Sequence, residues 1–300
     1  MGKIKPWLKA FRLRTLPLAF SSVILGSFLA AYKGSFDWVI LLGALLTTLF
    51  LQILSNLAND YGDTIHGVDN QQRVGPARSV QSGEISLKKM KWAVVIFTLL
   101  SLTSGVWLTI KAMSGLDISN GIILLIIGLF AIAAAIKYTI GKKPYGYIGL
   151  GDFAVFLFFG LTGVMGTYFL HTHQITPVEF LPAISIGLLS AGVLNLNNLR
   201  DRVNDSANNK ITMVVKLGVR KSKIYHAFLI ITGMASSIIY VLVNAESLTQ
   251  WIFVLTFPLL IKNIVVVFKN NEPSLLDPEL KKLAITTLLF ALTLGIGLIL

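Results

Sequence analysis

Residues 56–63 read NLANDYGD and close a run of about twenty mostly apolar residues, the length that spans a bilayer's hydrocarbon layer. Carboxylates and amides are costly inside hydrocarbon, so four such groups at the end of such a run call for a reason. A related cluster, NNLRDRVND, covers residues 197–205, again after an apolar stretch. Asn56 and Asn197 lie 141 residues apart, and so do Asp60 and Asp201. Helix positions i, i+3, i+4 and i+7 share a face, which places Asn56, Asn59, Asp60 and Asp63 on one stripe. Asn197, Asp201 and Asp205 follow at i, i+4 and i+8, with Asn198 alongside. A single helix-terminal cluster of this kind is ordinarily capping; two matched clusters are not explained that way.

The chain around these stripes belongs in a membrane. It is 54% hydrophobic and 13% charged, with mean hydropathy +0.74, against roughly 25% charged in soluble domains. Nine apolar stretches stand out, at 16–33, 38–59, 92–113, 118–137, 148–170, 178–199, 224–244, 248–268 and 282–300. With the N-terminus placed in the cytoplasm and every connection alternating, 24 of the 26 Lys and Arg residues fall inside. Only Lys33 and Lys111 fall outside, a strong positive-inside pattern. The net charge of +12 therefore reflects topology and not a nucleic-acid partner. The absence of cysteine excludes disulfides, thiolate metal sites and cysteine nucleophiles.

The expected fold is one all-α integral-membrane unit over residues 1–300. Nine transmembrane helices would form two parallel four-helix repeats plus a ninth helix, around a central cavity open to the cytoplasmic side. Residues 1–15, MGKIKPWLKAFRLRT, read as an interfacial segment with Trp7, Leu8 and Phe11 toward lipid. Residues 60–91 and 200–223 are expected as cytoplasmic active-site loops, each opening on an acidic stripe.

Oxygen-only stripes without cysteine or a nearby histidine pair suit hard cations, chiefly Mg²⁺ or Ca²⁺. Mg²⁺ prefers one or two carboxylates completed by water and phosphate oxygens. The neighbouring cations suit an anionic ligand: Arg73 and Arg78 in RVGPAR (73–78), Lys142 and Lys143, then Arg200, Arg202 and Lys210. Gly75 and Pro76 shape a tight loop between the first two. Carboxylate-bound Mg²⁺ ringed by Arg and Lys amounts electrostatically to a diphosphate site.

These segments carry a resemblance. RLRTLPLA (12–19), NDYGDTIHGVDNQQRVGPAR (59–78), YTIGKKPYGYIGLGDFAVFLFFG (138–160) and NNLRDRVNDSANNKITMVVKLG (197–218) resemble, in order, motifs of the UbiA superfamily of intramembrane prenyltransferases. They are most similar to its 1,4-dihydroxy-2-naphthoate polyprenyltransferase branch. Many relatives carry N-D-x-x-D-x-x-x-D, whereas here the last position is Gly67 and the next acid is Asp69, as in that branch. Whether Asp69 touches metal is left open. The match spans roughly residues 12–218; beyond about 220 only hydropathy contributes.

The resemblance implies a bacterial cytoplasmic-membrane enzyme that moves a polyprenyl group from polyprenyl diphosphate to 1,4-dihydroxy-2-naphthoate with loss of CO₂. It implies Mg²⁺ held by Asp60, Asp63, Asp201 and Asp205, with Asn56 and Asn197 in support. Arg73, Arg78, Lys143 and Lys210 would neutralise the departing diphosphate. Tyr138, Phe156, Phe158 and Phe159 are candidates to face an allylic cation. Asp152, within GLGDF, either pairs with Lys142 or Lys143 or orients the aromatic acceptor. His66 reads as a solvated loop histidine. A transporter would share the repeats and carboxylates, but its sites tend toward the bilayer midplane and not helix ends.

Overall fold

The computed structural model of the chain describes residues 4–70, 74–113 and 117–300. Among these residues all regular structure is helical. Helix α1 (Lys5–Phe11) leads through a left-handed residue, Arg12, and one 3₁₀ turn into α2 (Leu16–Tyr32). Then come α3 (Trp38–Ile65), α4 (Leu87–Ala112) and α5 (Ile118–Lys137). Helices α6 (Gly151–Val155) and α7 (Gly166–Thr172) are joined by a π-helical stretch, Phe156–Met165, into a single span. Helices α8 (Phe180–Ala207), α9 (Met213–Val243), α10 (Phe257–Lys269) and α11 (Leu276–Ile299) complete the chain.

Nine helical segments among the described residues are long and apolar enough to cross a membrane. Their outward surfaces stay apolar: Phe130 is 68% exposed and Leu255 76%, which lipid accommodates and water would not. Helix starts are set by ordinary caps. Asp37 accepts from the Val39 and Ile40 amides, Ser86 from Lys89 and Thr212 from Val215.

The two motif-bearing helices, α3 and α8, are each 28 residues long and carry their polar stripes at their C-terminal ends. Helix α8 is the central one. It packs on α9, α11 and the π stretch, and its Gly187 meets Gly160 backbone to backbone. A Cβ on Gly160 would sit 2.6 Å from the Ala183 carbonyl oxygen, so only glycine permits that approach.

Two boundaries differ from the sequence reading. The first acidic stripe stays helical to Ile65, and the stretch expected as a second long loop is helical to Ala207 and again from Met213. Asn204 and Asp205 continue the helix because their side chains find partners instead of competing for the backbone: Asn204 Nδ2 donates to the Val68 carbonyl at 2.8 Å. The N-terminal segment is not simply laid toward lipid. Trp7 and Phe11 pack on the buried cluster of Ile53, Leu57 and Met90, and only Leu8 faces outward.

Candidate active site

The end of helix α3 is set locally, by a glycine. Gly67 adopts φ +74, the left-handed position that terminates helices, and the amides of Val68 and Asp69 turn back onto the Asp63 carbonyl. A third motif carboxylate, at position 67, would have to adopt that strained conformation. The turn instead buries Asp69, whose carboxylate lies 3.9 Å from Arg78 Nε.

A cavity of about 420 Å³ opens beside this turn. At one end stand Asn59, Asp63, Arg78, Asn197, Asn198, Asp201, Asp205 and Lys210; Val23, Ala44, Leu108 and Leu170 line it deeper along the bundle. Tyr138, Phe158 and Phe159 border it, while Phe156 packs over Gly187 instead. Tyr138 stands edge-on to Tyr145, with ring centres 5.3 Å apart. Burial lifts the phenol of Tyr145 to about 12 and that of Tyr138 well above its usual value, with Asp152 as a second cause for Tyr138.

Asp60 and Asp63, three residues apart, face different surroundings. Asp60 is 1% exposed, forms a short ion pair with Arg12 and lies 3.5 Å from Arg78 Nε. It does not border the cavity. Asp63 does; it accepts a 2.6 Å hydrogen bond from the Tyr147 phenol and lies 3.4 Å from Lys210 Nζ through both oxygens. The same ammonium lies 3.8 Å from Asp205 on α8. One cation thus bridges the two acidic stripes, which meet at the mouth of one cavity. Burial first, and Asp63 second, push the Tyr147 phenol above its ordinary pKa, so it remains a donor.

Lys210 and Tyr147 are placed by paired turns. The Ile211 amide donates to the Tyr147 carbonyl at 3.0 Å, and Lys216 Nζ to the Ile148 carbonyl at 2.6 Å. Lys210 Nζ also lies 5.2 Å above the Tyr147 ring. Across the site, the loop after α3 is fastened to α8 by Asn204 and by Asn70, which donates to Asn208 at 3.4 Å.

The structure places the remaining expected site residues in several different surroundings. Arg73 lies outside the described residues. Lys142 and Lys143 are exposed and off the cavity wall, because the turn after α5 points them outward. Arg200 is 2% exposed and turned into the protein, where it donates to Asp201, Asn197 and Asp277. Asn56 borders the cavity, but its amide donates to the Phe11 carbonyl at 3.0 Å and to Thr15 at 3.3 Å, holding the bend at Arg12. Asn59 accepts from the Thr139 hydroxyl at 3.3 Å. Asp152 is buried beside Tyr225 and pairs with neither Lys142 nor Lys143. His66 is half-buried, and its ring nitrogens face the carbonyl oxygens of Gly62 and Gly141 at 2.8 and 3.1 Å.

Sequence reasoning missed Arg12 as a site residue. It borders the cavity and grips Asp60, and its φ of +49 is a conformation non-glycine residues keep only where surroundings impose it. The signal was present in RLRTLPLA, but a basic N-terminus beside a membrane reads as headgroup anchoring.

Among the described residues no three carboxylate or imidazole groups gather closely enough to hold an ion unaided. The cavity-facing donors, Asp63, Asp201, Asp205, Asn197 and Asn198, are all oxygens or amides split between two helices. That set fits Mg²⁺ whose shell is completed by phosphate oxygens and water, and fits poorly a metal needing a full protein cage.

The sequence profile of the UbiA prenyltransferase family matches residues 19–297. A 1,4-dihydroxy-2-naphthoate octaprenyltransferase of Haemophilus influenzae is 42% identical over 299 residues, covering 99% of this chain and 96% of that one. The Escherichia coli protein described by the same name is also 42% identical, covering 97% and 96%. In fold, the chain is similar to a UbiA homolog from Archaeoglobus fulgidus bound to GPP and Mg²⁺. The TM-score there is 0.64 at 17% identity, covering 98% of this chain and 99% of that one. With the family profile spanning nearly every helix and the paired acidic stripes meeting at one cavity, the chain belongs to the UbiA prenyltransferase family.

Proposed function

We propose that this protein transfers a polyprenyl group from a polyprenyl diphosphate to 1,4-dihydroxy-2-naphthoate, releasing CO₂ and diphosphate and giving demethylmenaquinol. The observation that carries this reading is the meeting of Asp63 and Asp205 across Lys210 at the polar end of an otherwise largely apolar cavity. The 42% identity to the naphthoate enzymes over nearly the whole chain supports the choice of acceptor.

The diphosphate would lie at the polar end with the isoprenoid tail running into the apolar part. Mg²⁺ held by Asp63, Asp201 and Asp205, with Asn197 and Asn198 in support, would neutralise charge on the leaving oxygens. Asp60 and Asp69 take a different role from the one first expected of Asp60: they present Arg78, and Asp60 presents Arg12, to the same anion. Lys210 adds a third cation. As the bond from the prenyl carbon to oxygen breaks, positive charge builds on the allylic carbon, and the faces of Tyr138, Phe158 and Phe159 favour it. The ring carbon bearing the carboxylate forms the new carbon–carbon bond, and loss of CO₂ restores aromaticity. The protein works as a multi-pass membrane enzyme; the distribution of Lys and Arg supports a cytoplasmic N-terminus, and its bacterial relatives support the inner membrane.

The test is an assay in membranes with polyprenyl diphosphate and either 1,4-dihydroxy-2-naphthoate or 4-hydroxybenzoate. Prenylated naphthoquinol is expected, with little product from the benzoate. Equal turnover of both acceptors sinks the acceptor assignment, and no product from either sinks the reading as a whole.

A further inference from the structure

We propose that Asp277, at the start of the last span, is a positioning residue for the metal–diphosphate site: it fixes Arg200 and, through it, the cavity-facing carboxylate of Asp201. The proposal rests on the prenyl-transfer function and extends the site to a helix whose sequence offers only hydropathy.

Arg200 holds Asp201 as a fork, with Nε to one oxygen at 2.9 Å and Nη2 to the other at 2.7 Å. The second Nη2 hydrogen goes to Asn197 Oδ1 at 2.8 Å, and Nη1 donates to Asp277 through a short ion pair. Gly75 closes over the planar face, since a Cβ there would lie 3.0 Å from the guanidinium carbon. Four of the five donors are therefore spoken for and the face is covered, so Arg200 does not serve as a phosphate ligand. Its charge instead sets the direction of two cavity residues, Asn197 and Asp201.

Adjacent residues on a helix project about 100° apart, so the Arg200–Asp201 fork alone leaves the guanidinium free to pivot with the carboxylate. Asp277 supplies the contact from a different helix that removes this freedom. It is itself anchored from the far side, where Arg14 donates to its second oxygen at 3.2 Å. Without Asp277, a buried Nη1 loses its acceptor and the fork loses its fixed support. Partners that orient a metal-binding group typically change affinity by about 10–100-fold when removed.

The experiment uses the full-length protein purified in detergent and titrated with magnesium pyrophosphate by calorimetry, with no prenyl donor or acceptor present. Asp277→Asn is expected to weaken binding by about tenfold or more, and Asp277→Glu to recover most of it. In the transfer assay the Mg²⁺ concentration for half-maximal rate should rise in Asp277→Asn while KM for the naphthoate stays unchanged. Arg200→Lys, which keeps the charge but loses the fork, should weaken binding at least as much, even if Asp277→Asn does not accumulate in membranes. Unaltered affinity in either Asp277→Asn or Arg200→Lys overturns the proposal. So does a lower melting temperature in Asp277→Asn with the Mg²⁺ dependence unmoved, which marks a merely structural contact. A wild-type protein that binds no magnesium pyrophosphate defeats the underlying functional reading instead.

Discussion

Replacing Lys210 with methionine separates two things its ammonium does, and the two move in opposite directions. The side chain belongs to an 8%-exposed residue, with Nζ 3.4 Å from each Asp63 oxygen and 3.8 Å from Asp205. At an effective dielectric of about 20, a pair of unit charges 3.4 Å apart attracts by about 5 kcal/mol. Desolvation offsets much of this, and breaking a buried pair typically costs about 3–5 kcal/mol. Asp63 keeps its 2.6 Å bond from Tyr147, so the low end applies, about 3 kcal/mol or roughly 6 °C in melting temperature. Methionine keeps the apolar stem over the Tyr147 ring, so the loss is that of charge. Metal-free Lys210→Met should melt roughly 6 °C below wild type. Mg²⁺ should then stabilise the variant more than wild type, because the metal no longer competes with an ammonium for the two carboxylates. Transfer should nonetheless fall about tenfold or more, since a charged hydrogen bond to the diphosphate is gone. The measurement is melting of the detergent-purified protein with and without Mg²⁺. If the metal-free variant is as stable as wild type, or Mg²⁺ stabilises it less, Lys210 does not bridge the stripes.

Other perturbations probe neighbouring parts. Gly75→Ala places a Cβ 2.8 Å from Arg200 Nη2, so it should displace the guanidinium and depress transfer about as strongly as an Arg200 substitution, read from kcat/KM. The half-buried Tyr145 phenol has its pKa raised from 10.0 to about 12, so the folded state holds that proton longer than the unfolded chain. Its stabilising contribution is therefore complete below pH 10 and is lost as pH rises toward about 12; Tyr145→Phe should flatten that loss in unfolding curves measured against pH. At the opposite end of the bundle, buried Glu179 lies 3.6 Å from partly exposed Lys33. Lys33→Met should cost about 1–3 kcal/mol of stability, seen as a lower melting temperature, with the Mg²⁺ dependence of transfer untouched.

Much of this site was legible in the chain because helix periodicity is a local property. Asn59, Asp63, Asn197, Asp201 and Asp205 stand at the cavity wall as their spacing predicts, and Arg78 and Lys210 join them from the flanking turns. What spacing does not show is how one stripe divides. Asp60 and Asp63 are three residues apart, about 60° round the helix, and that is enough to turn one toward Arg12 and the other toward the cavity. Arg200 illustrates the opposite limit. A cation beside Asp201 reads as a phosphate ligand, yet its partner Asp277 is 77 residues away and no local pattern announces that contact. Lys143 failed for a related reason: charge composition places a residue near the right end of the bundle, but the turn after α5 decides where its side chain points. The two structural surprises, the helical 200–207 segment and the N-terminal bend clasped by Asn56, likewise depend on contacts between distant segments.

If Asp63 on α3 and Asp205 on α8 act as one cation site, their contributions to metal binding cannot be independent. A double-mutant cycle on magnesium pyrophosphate binding, with Asp63→Asn, Asp205→Asn and the pair, measures that dependence. A single shared site predicts that the double variant loses less than the two separate losses combined, with a coupling of about 0.5–3 kcal/mol. Strictly additive losses contradict it.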